Sequence, residues 1–567
     1  MTETEHYHEA AKALNTEKGE EEDDVMERII VHIGDMGTYQ RWLVAAMLPF
    51  AVAMAFSYSV QMFIAATPQQ HWCKVPELQV LSVELRRNLS VPFTDEPPGW
   101  DRCMMYDTNY TQVLSTLTRP PTGTPVVPCR YGWEFLFDDI PYSTVINERE
   151  WVCDRAAYAP FAQSVYFVGS LFGVAFFGFL GDKYGRLPAF IGANIIGFIG
   201  SISTIFTVGA WDFALSRFVT GVSNDAGYTM IYIIILEFIG ARHRTWVSNA
   251  VLGIGCTVAQ VLLPWMAIKM ADWRTLTVVT SIPFVLALAT PWIVPESVRW
   301  LSSSGQVKRA LKILRRFERI NNTKIPQDVI DEFVATSNKK RESNESLTAL
   351  FQSPRLRNCL FVLILVSIIA SIGIDAIIRL SENIGSSLFV TFAASSAAEL
   401  PALALVTVTL DRFGRRAVIA ATLLLTSVFS FMCAAIPRGI FQAIVAVTLR
   451  FFVNMSFSAL LQLGPETLPT PVRSSGNSLI HLTVFLGTVV SPYVVYSGTI
   501  WVPLPLITIG VISIVGTLAS LLLPETKGQP MPQTLADGER LVAQNMLCGR
   551  FEIDEETEKL PPLKEKS

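Results

Sequence analysis

Long apolar runs dominate the pattern of hydrophobic and polar positions along this 567-residue chain. A helix needs about 20 apolar residues to cross a bilayer, and runs of that length recur throughout the sequence. They lie at 42–66, 156–180, 187–209, 212–237, 246–268, 275–294, 357–379, 384–409, 417–436, 440–463, 475–497 and 501–523. The pattern therefore predicts an all-α membrane protein with six spans in each half.

Polar intervals separate and flank these runs, and together they predict how the chain is organised. The predicted segments are 1–41, 42–66, 67–155, 156–294, 295–356, 357–523 and 524–567. The first segment is rich in Glu and Asp up to Asp24, which predicts a disordered acidic N-terminal segment. The charged tail after Thr526 is also predicted to be disordered. Within 295–356, apolar and basic residues alternate at helical spacing over 304–320, which predicts an amphipathic helix on the inner leaflet or against the bundle.

Loop charges predict the orientation of the spans. The interval 295–356 is rich in Lys and Arg, and such loops stay in the cytosol. An even number of spans then places both termini in the cytosol and the long interval 67–155 outside. We therefore expect a cytosolic acidic N-terminal segment, a cytosolic helical loop and a cytosolic tail.

The interval 67–155 carries the features of a secreted loop domain. Its four cysteines predict two disulfides, and three connectivities are open. They are Cys73, Cys103, Cys129 and Cys153. Two sequons in the same interval, at Asn88 and Asn109, predict glycosylation. The sequons at Asn321 and Asn344 fall in the predicted cytosolic loop, and we expect them to stay unmodified.

Three pairs of motifs recur at one offset, which indicates that a six-span unit is used twice. G-D-K-Y-G-R at 181–186 recurs as D-R-F-G-R-R at 411–416, with 411 − 182 = 229. Glu237 and Arg244 recur as Glu466 and Arg473, and the Pro-Glu of 295–296 recurs at 524–525. Glycine permits the tight reversal between spans, and the Asp, Arg and Glu side chains can pair at the cytosolic helix ends. We predict a charge latch that holds one conformation and breaks in another. Its residues are Asp182, Gly185, Arg186, Glu237, Arg244, Asp411, Gly414, Arg415, Glu466 and Arg473.

Composition narrows the classes of function. Half of the residues are hydrophobic, 17% are charged and the net charge is −4, which indicates a membrane protein and gives no sign of nucleic-acid binding. The sequence has no G-x-x-x-x-G-K-[ST] loop for a nucleotide and no metal or catalytic-triad arrangement. We therefore expect neither an enzyme nor an ATP-driven pump, and no cofactor.

At these motifs the chain resembles a known family. The two loop motifs resemble the signature of the major facilitator superfamily. Six further motifs, over about residues 30 to 530, are similar to those of solute carrier family twenty-two, the organic cation, anion and zwitterion transporters. They are W-V-C-D-R, L-E-F-I-G, P-E-S-V-R-W-L, A-E-L-P-A, P-E-T-L-P-T-P-V-R and L-P-E-T-K-G. The resemblance implies twelve transmembrane helices in two pseudo-symmetric six-helix bundles, with an extracellular loop domain after the first helix. It also implies transport at the plasma membrane by alternating access.

Ionisable residues within the spans are candidate functional groups, because each costs at least a few kcal/mol in hydrocarbon. Asp225 lies near the middle of span four. Asp375 and Arg379 lie four residues apart on span seven, where they could bind the two charges of a zwitterion or neutralise each other. Glu399 in span eight matches an acid that the resemblance places there, with a role in coupling or gating. Arg217 and Arg450 begin spans four and ten, and we expect structural bonds for both.

The resemblance makes Asp225 the most informative of these residues. Counted back from L-E-F-I-G, it falls where cation-carrying relatives have a lysine that faces the cavity. Phe485, two residues before Gly487, falls where those relatives have aspartate and anion carriers have arginine. We interpret Asp225 as the residue that binds the ammonium group of the substrate. Tyr58, Tyr228 and Gln260 are candidates to complete the pocket.

The acid on span four favours a small organic amine or zwitterion as substrate, and the resemblance implies compounds such as carcinine, β-alanine or a carnitine-like compound. The partners would be this substrate, membrane lipid and a coupling ion, either sodium or a proton. An organic anion exchanger is the first alternative, and it would need Arg379 and His481 as cavity cations. The second is a non-transporting receptor or scaffold, which should have lost the latch residues.

Overall fold

The computed structural model describes residues 25–94, 99–121, 123–337, 351, 353–381, 384, 387–529, 531–532 and 534–545. Within these ranges, the side chains of residues 241, 242, 244–246, 248, 249, 252, 470, 471, 474, 544 and 545 are not described. The chain forms two compact units. Unit 1 comprises residues 1–340 and 387–396, and unit 2 comprises residues 341–386 and 397–567.

Twelve long helical segments follow one another as the apolar pattern predicts. The spans of the first half are Thr38–Ile64, Tyr158–Tyr184, Arg186–Thr204, Ala210–Phe238, Ala241–Met270 and Trp273–Val285, which continues as Leu286–Ala289 and Thr290–Ile293. The spans of the second half are Pro354–Leu380, Leu388–Ala397 with Glu399–Phe413, Arg415–Ala435, Ile440–Thr467, Thr470–Tyr496 and Leu504–Ser520. Span one therefore begins four residues before the predicted 42–66.

Most of these helices are long and apolar enough to cross a membrane. Within the described residues, ten meet that standard by length and composition. Leu504–Ser520 is apolar but has 17 residues, and Ala210–Phe238 carries Arg217, Asn224 and Asp225 along its length. The architecture is that of an all-α membrane protein with twelve transmembrane helices in two six-helix bundles.

The interval 295–337 of unit 1 forms a small helical subdomain. A helix at 25–33 packs its apolar residues against Val298–Ser303, Val307–Asn321 and Gln327–Ser337 in one core with the spans. Arg28 bonds Glu332 at 2.5 Å across this subdomain. The predicted amphipathic helix at 304–320 is thus present as Val307–Asn321, with its apolar face against the bundle.

Asn321 joins this subdomain to the start of span one. Its side-chain oxygen accepts from the Tyr39 backbone N–H at 2.9 Å, and its nitrogen donates to the Ile33 carbonyl and to Gln40. A glycan on that nitrogen would displace these bonds, which agrees with the expectation that Asn321 stays unmodified. Residues 1–24 and the Asn344 sequon lie outside the described residues.

The interval between spans one and two folds as a disulfide-bonded loop domain. Strands β1 (His71–Cys73) and β4 (Trp133–Phe135) pair antiparallel, as do β2 (Met104–Tyr106) and β3 (Val126–Pro128). Short helices at Val83–Ser90, Tyr110–Thr116 and Val145–Arg149 complete it. Of the three connectivities, the structure has Cys73–Cys129 and Cys103–Cys153. The predicted glycosylation sites, Asn88 and Asn109, are both exposed.

The loop domain is anchored to the start of span six. Glu148 accepts from both outer nitrogens of Arg274, at 2.5 and 2.7 Å, and from the indole of Trp273 at 2.9 Å. The bonds from Arg274 hold the pKa of Glu148 at about 2, below its ordinary value. The carboxylate therefore stays charged and paired over the whole neutral range.

Two features of the second half differ from the prediction. The first part of span eight, residues 387–396, belongs to unit 1 and not to a 357–523 bundle, because Phe389 and Phe392 pack on Phe63 and Phe389 also contacts Tyr142. The tail is not wholly disordered, since a helix at Leu535–Asn545 packs Val542 into the core of unit 2.

Candidate substrate site and cytosolic latch

Spans two and four cross unusually closely in unit 1, and glycines make the crossing possible. A Cβ at Gly169 would lie 2.2 Å from the Phe218 carbonyl oxygen, and one at Gly173 would lie 1.9 Å from that of Val222. A Cβ on span four, at Gly221, would lie 2.0 Å from the Tyr166 carbonyl. Side-chain atoms cannot fit at such distances, so the two backbones touch directly.

Asp225 lies one helical turn beyond this crossing, where the close approach fixes its surroundings. The Ser170 hydroxyl of span two donates to the Gly221 carbonyl at 3.0 Å, and it and the Asn224 side chain are the polar neighbours of the Asp225 carboxylate. Tyr228, three residues further along span four, keeps 37% of its surface exposed. Asp225 and Tyr228 therefore form a polar and aromatic patch on one helix face.

Span two connects this patch to Tyr58 of span one. The Tyr58 ring lies 6.1 Å from that of Phe167, and Phe167 precedes Ser170 by three residues on the same helix face. Sequence reasoning did not include Phe167 or Ser170, although the G-x-x-x-G spacing of Gly169 and Gly173 marked this face of span two. Gln260, on span five, is buried with 6% exposure.

Arg217 is fully buried near the outer part of span four and is bound as a structural group. Its Nε donates to the Gln61 side chain at 2.8 Å and an outer nitrogen donates to the Ser57 carbonyl at 3.4 Å. Its guanidinium also lies 4.9 Å from the centre of the Tyr166 ring. These contacts tie span four to spans one and two.

In unit 2, Asp375 and Arg379 bind each other. The Arg379 guanidinium donates to both Asp375 oxygens, at 2.8 and 2.9 Å, and Asp375 is fully buried. A two-pronged pair of this kind neutralises both charges. The observation agrees with the neutralising alternative for these residues. A substrate charge would have to compete with this pair in order to bind either residue.

Glu399, predicted to serve coupling or gating, also faces an arginine, and it lies away from the latch residues. Span eight is interrupted at Ala398, and Glu399 begins its second part with its carboxylate 3.9 Å from Arg450. Asp411 of the latch is twelve residues further on, about 18 Å of helix away. The pair places Glu399 near the middle of unit 2.

The 229-residue offset relates these mid-span groups to those of unit 1, a correspondence that the sequence analysis missed. The corresponding pairs are Ser170 with Glu399, Gly221 with Arg450, and Asp225 with Asn454, since 399 − 170 = 450 − 221 = 454 − 225 = 229. The acid is thus on span four in unit 1 and on span eight in unit 2.

Phe485, the residue in place of the family's charge marker, is partly buried on span eleven. Two residues later, a Cβ at Gly487 would meet the Ser371 hydroxyl at 2.0 Å and the Ile368 carbonyl at 2.9 Å. Spans seven and eleven therefore pack closely beside Phe485.

The latch residues of unit 1 form one connected network. Arg186 bonds Asp182 at 2.5 Å and Glu237 at 3.4 Å. Glu296, from the Pro-Glu motif, accepts from the backbone N–H groups of Arg186 at 3.0 Å and Leu187 at 3.2 Å. The carboxylate thereby satisfies orphan donors at the N-terminus of span three. Burial raises the pKa of Glu296 above its ordinary value.

Unit 2 repeats this network with a different balance of distances. Arg415 donates to both oxygens of Glu466, at 2.9 and 3.0 Å, and lies 3.6 Å from Asp411. Glu525 accepts from the N–H groups of Arg415 at 2.9 Å and Arg416 at 3.1 Å. Glu296 and Glu525 are functional candidates that sequence reasoning missed, although their 229-residue offset was visible.

The two motif glycines allow these carboxylates to approach. Gly185 has φ +115° and Gly414 has φ +91°, a region that other residues rarely adopt. A Cβ would lie 2.3 Å from Glu296 at Gly185 and 2.6 Å from Glu525 at Gly414.

Of the two further predicted latch arginines, Arg473 bonds backbone carbonyls. Arg473 donates to the Leu468 carbonyl at 3.1 Å and the Pro532 carbonyl at 3.3 Å, and so joins the end of span ten to the tail. The side chain of Arg244 lies outside the described part of the chain.

Comparison with known proteins identifies the family. The model of the "Sugar (and other) transporter" family matches residues 142–534. The β-alanine transporter of Drosophila melanogaster is 31% identical over 92% of this chain and 90% of its own length. Solute carrier family 22 member 3 of Rattus norvegicus is 29% identical over 91% of this chain and 96% of its own. The chain belongs to solute carrier family 22 of the major facilitator superfamily.

Other relatives agree with this assignment. The carcinine transporter of Drosophila melanogaster is 28% identical over 91% of this chain and 79% of its own length. The inward-open xylose transporter XylE from E. coli is 14% identical with a TM-score of 0.56, over 87% of this chain and 98% of its own. This family 22 member is therefore a multi-pass membrane transporter with the major facilitator fold, and its family and structural neighbours are transporters rather than enzymes.

Proposed function

We propose that this protein carries a small organic amine or zwitterion across the plasma membrane by alternating access, with both termini in the cytosol. The observation that carries the proposal is the setting of Asp225. Asp375 and Glu399 each face an arginine, whereas Asp225 has only the neutral partners Ser170 and Asn224 within the described residues. A carboxylate in a membrane helix with neutral partners is costly, and an ammonium group would offset that cost.

The surroundings of Asp225 favour an ammonium ligand further. Tyr228 and Tyr58 supply aromatic faces, on which a cation gains roughly 0.5 to 2 kcal/mol. Two relatives are named transporters of β-alanine and carcinine, and both compounds carry an amine. We therefore take β-alanine, carcinine and carnitine-like compounds as the first substrates to test, with sodium or proton coupling open.

The organic anion alternative is less well supported. It depended on Arg379 as a cavity cation, and Arg379 donates to both oxygens of Asp375. An anionic substrate would have to compete with that pair. The scaffold alternative expected the loss of latch residues, and the ion pairs of the latch are present in both units.

The test is an uptake screen in cells with labelled β-alanine, carcinine, carnitine and a dicarboxylate. Asp225→Asn should reduce uptake of the best amine substrate at least about 100-fold, because a buried ion pair loses several kcal/mol when one charge is removed. Asp154→Asn is the matched control, since it removes the same charge from an exposed site on the loop domain. Surface labelling of both variants reports folding and delivery.

Two results would overturn this proposal. One is unchanged uptake of the best substrate by Asp225→Asn at equal surface density. The other is a chain that carries the dicarboxylate and none of the amines.

We further propose that the latch residues govern turnover and not substrate affinity. Arg186→Ala and Arg415→Ala should lower the maximal uptake rate several-fold with little change in KM, because the network lies at the cytosolic helix ends and away from Asp225. Lys183→Ala removes an exposed cation from the same motif and is the control. A rise in KM without a change in maximal rate would contradict the latch role.

A further inference from the structure

The helix Val307–Asn321 has a basic face that the described residues of unit 1 leave exposed. Its buried side is made by Val307, Ala310, Leu314 and Phe317. The opposite side exposes Lys308, Lys312, Arg315, Arg316 and Arg319. Four of these, Lys308, Lys312, Arg315 and Arg319, follow one another at helical spacing and form a continuous stripe. We call these five side chains the basic face.

The charge of this face is not neutralised by the described parts of the protein. The helix carries six cations and one acid, and that acid, Glu318, accepts from the backbone N–H of Ile325 at 2.7 Å. Among the ion pairs between described residues, none joins Lys312, Arg315 or Arg319 to a carboxylate. A stripe of exposed like charges creates a local potential that attracts an anionic partner.

Contacts of Phe317 fix the height of the helix relative to the spans. Its ring lies edge-on to Tyr39, in the first turn of span one, with centroids 4.6 Å apart. It also stacks on Phe238, the last residue of span four, at 5.5 Å. The helix therefore lies at the ends of the membrane spans, where lipid headgroups begin.

Aromatic and basic residues mark the edge of the basic face that meets span one. The Arg316 guanidinium lies 5.4 Å from the centre of the Tyr39 ring. Tyr39 stacks against Trp42 at 6.5 Å, and Trp42 keeps 51% of its surface exposed. Half-exposed tryptophan beside arginine is typical of the membrane–water interface.

We propose that the basic face binds the headgroups of anionic phospholipids in the cytosolic leaflet. The proposal uses the cytosolic placement of this interval and is independent of the substrate. Charge complementarity, the height of the helix and the interfacial tryptophan all favour a bilayer partner. The acid-rich segment 1–24 of the same chain is the rival occupant, which the experiment separates.

Native mass spectrometry of the full-length protein in detergent tests the proposal. The probes are phosphatidylserine and phosphatidylcholine, titrated separately. We expect tighter retention of phosphatidylserine, and the double variant Lys312→Gln, Arg315→Gln should weaken it about 25-fold, since each basic residue near the surface contributes about a fivefold gain. The control, Lys74→Gln with Lys324→Gln, removes two exposed cations from elsewhere in the chain and should bind as the wild type does.

A second measurement locates the lipid. In vesicles, brominated phosphatidylserine should quench the fluorescence assigned to Trp42, taken as the difference from Trp42→Phe, more than brominated phosphatidylcholine does. The double variant should remove that difference while its melting temperature stays unchanged, because Gln preserves an exposed helix. Equal quenching by the two lipids overturns the proposal, as does equal retention of phosphatidylserine by the double variant. A preference for phosphatidylserine that appears only after removal of residues 2–24 assigns the face to the acidic segment instead.

Discussion

The span two–span four pair of unit 1 and the span eight–span ten pair of unit 2 occupy corresponding places but hold their charges differently. In unit 1, Gly221 lets the backbones touch, and the carboxylate of Asp225 has neutral neighbours. In unit 2, Arg450 stands at the place of Gly221, and its guanidinium faces Glu399. In unit 1, two helices are tightly joined beside Asp225, which has no cationic partner among the described residues. In unit 2, the acid Glu399 is paired with an arginine of the same unit.

Span eight also differs from span two in shape. It is interrupted at Ala398, the counterpart of Gly169 and three residues before Pro401. Proline has no backbone N–H, so the Ala397 carbonyl loses its helical partner and the first part of the span ends there. Phe172 stands at the corresponding place in unit 1, where span two is one continuous helix, Tyr158–Tyr184.

The largest expected effect comes from closing the rigid crossing. Gly173→Ala should destabilise the protein by about 3 kcal/mol or more, because the new Cβ would lie 1.9 Å from the Val222 carbonyl and the backbones must separate. Surface expression and the melting temperature of the purified protein measure this. The counterpart in unit 2 is already an alanine, Ala402.

Gly178→Ala is the matched control for that variant. It lies on the same helix, and a Cβ there would meet nothing within 4 Å. It should leave expression unchanged, or raise stability slightly through helix propensity. Equal behaviour of the two variants would mean that the close crossing is not required.

A smaller effect should follow from breaking the pair in unit 2. Arg450→Ala should destabilise the protein by about 3 kcal/mol or less, because it leaves the part-buried carboxylate of Glu399, which is 20% exposed, without its counter-charge. Arg450→Ala combined with Glu399→Gln should recover part of that loss, whereas Asp225→Asn in unit 1 should change stability by less than about 1 kcal/mol, since Ser170 and Asn224 can still bond the amide.

A double-mutant cycle measures this coupling. Thermal unfolding is recorded for the wild type, Arg450→Ala, Glu399→Gln and the double variant. A coupling energy near zero between Arg450 and Glu399 would remove the proposed contrast between the units. A large loss of stability in Asp225→Asn would show that Asp225 is a structural residue and not a binding group.

The parts of the site that sequence predicted are those that repeat or stand out locally. Asp225 and Glu399 were visible as charges in apolar runs, and Arg186 and Arg415 were visible through the 229-residue offset. Ser170, Phe167 and Glu296 were not selected, because serine and phenylalanine are ordinary in a span and the role of Glu296 depends on a helix N-terminus 110 residues away. The sequence left open whether Arg379 binds a zwitterion or is neutralised by Asp375, and only the contacts in the structure favoured neutralisation.

The sequence by itself determined the twelve apolar helices, their division into two halves and the placing of the latch motifs, because bilayer thickness and backbone hydrogen bonding constrain each run locally. Tertiary structure decided the disulfide pairing, the packing of the helix at 25–33 and the partner of each membrane charge. These depend on which helices touch and at what distance, and pairwise contacts between distant segments leave no local pattern. Whether a carboxylate meets an arginine or a serine is settled at a helix crossing, and there a single glycine or arginine decides it.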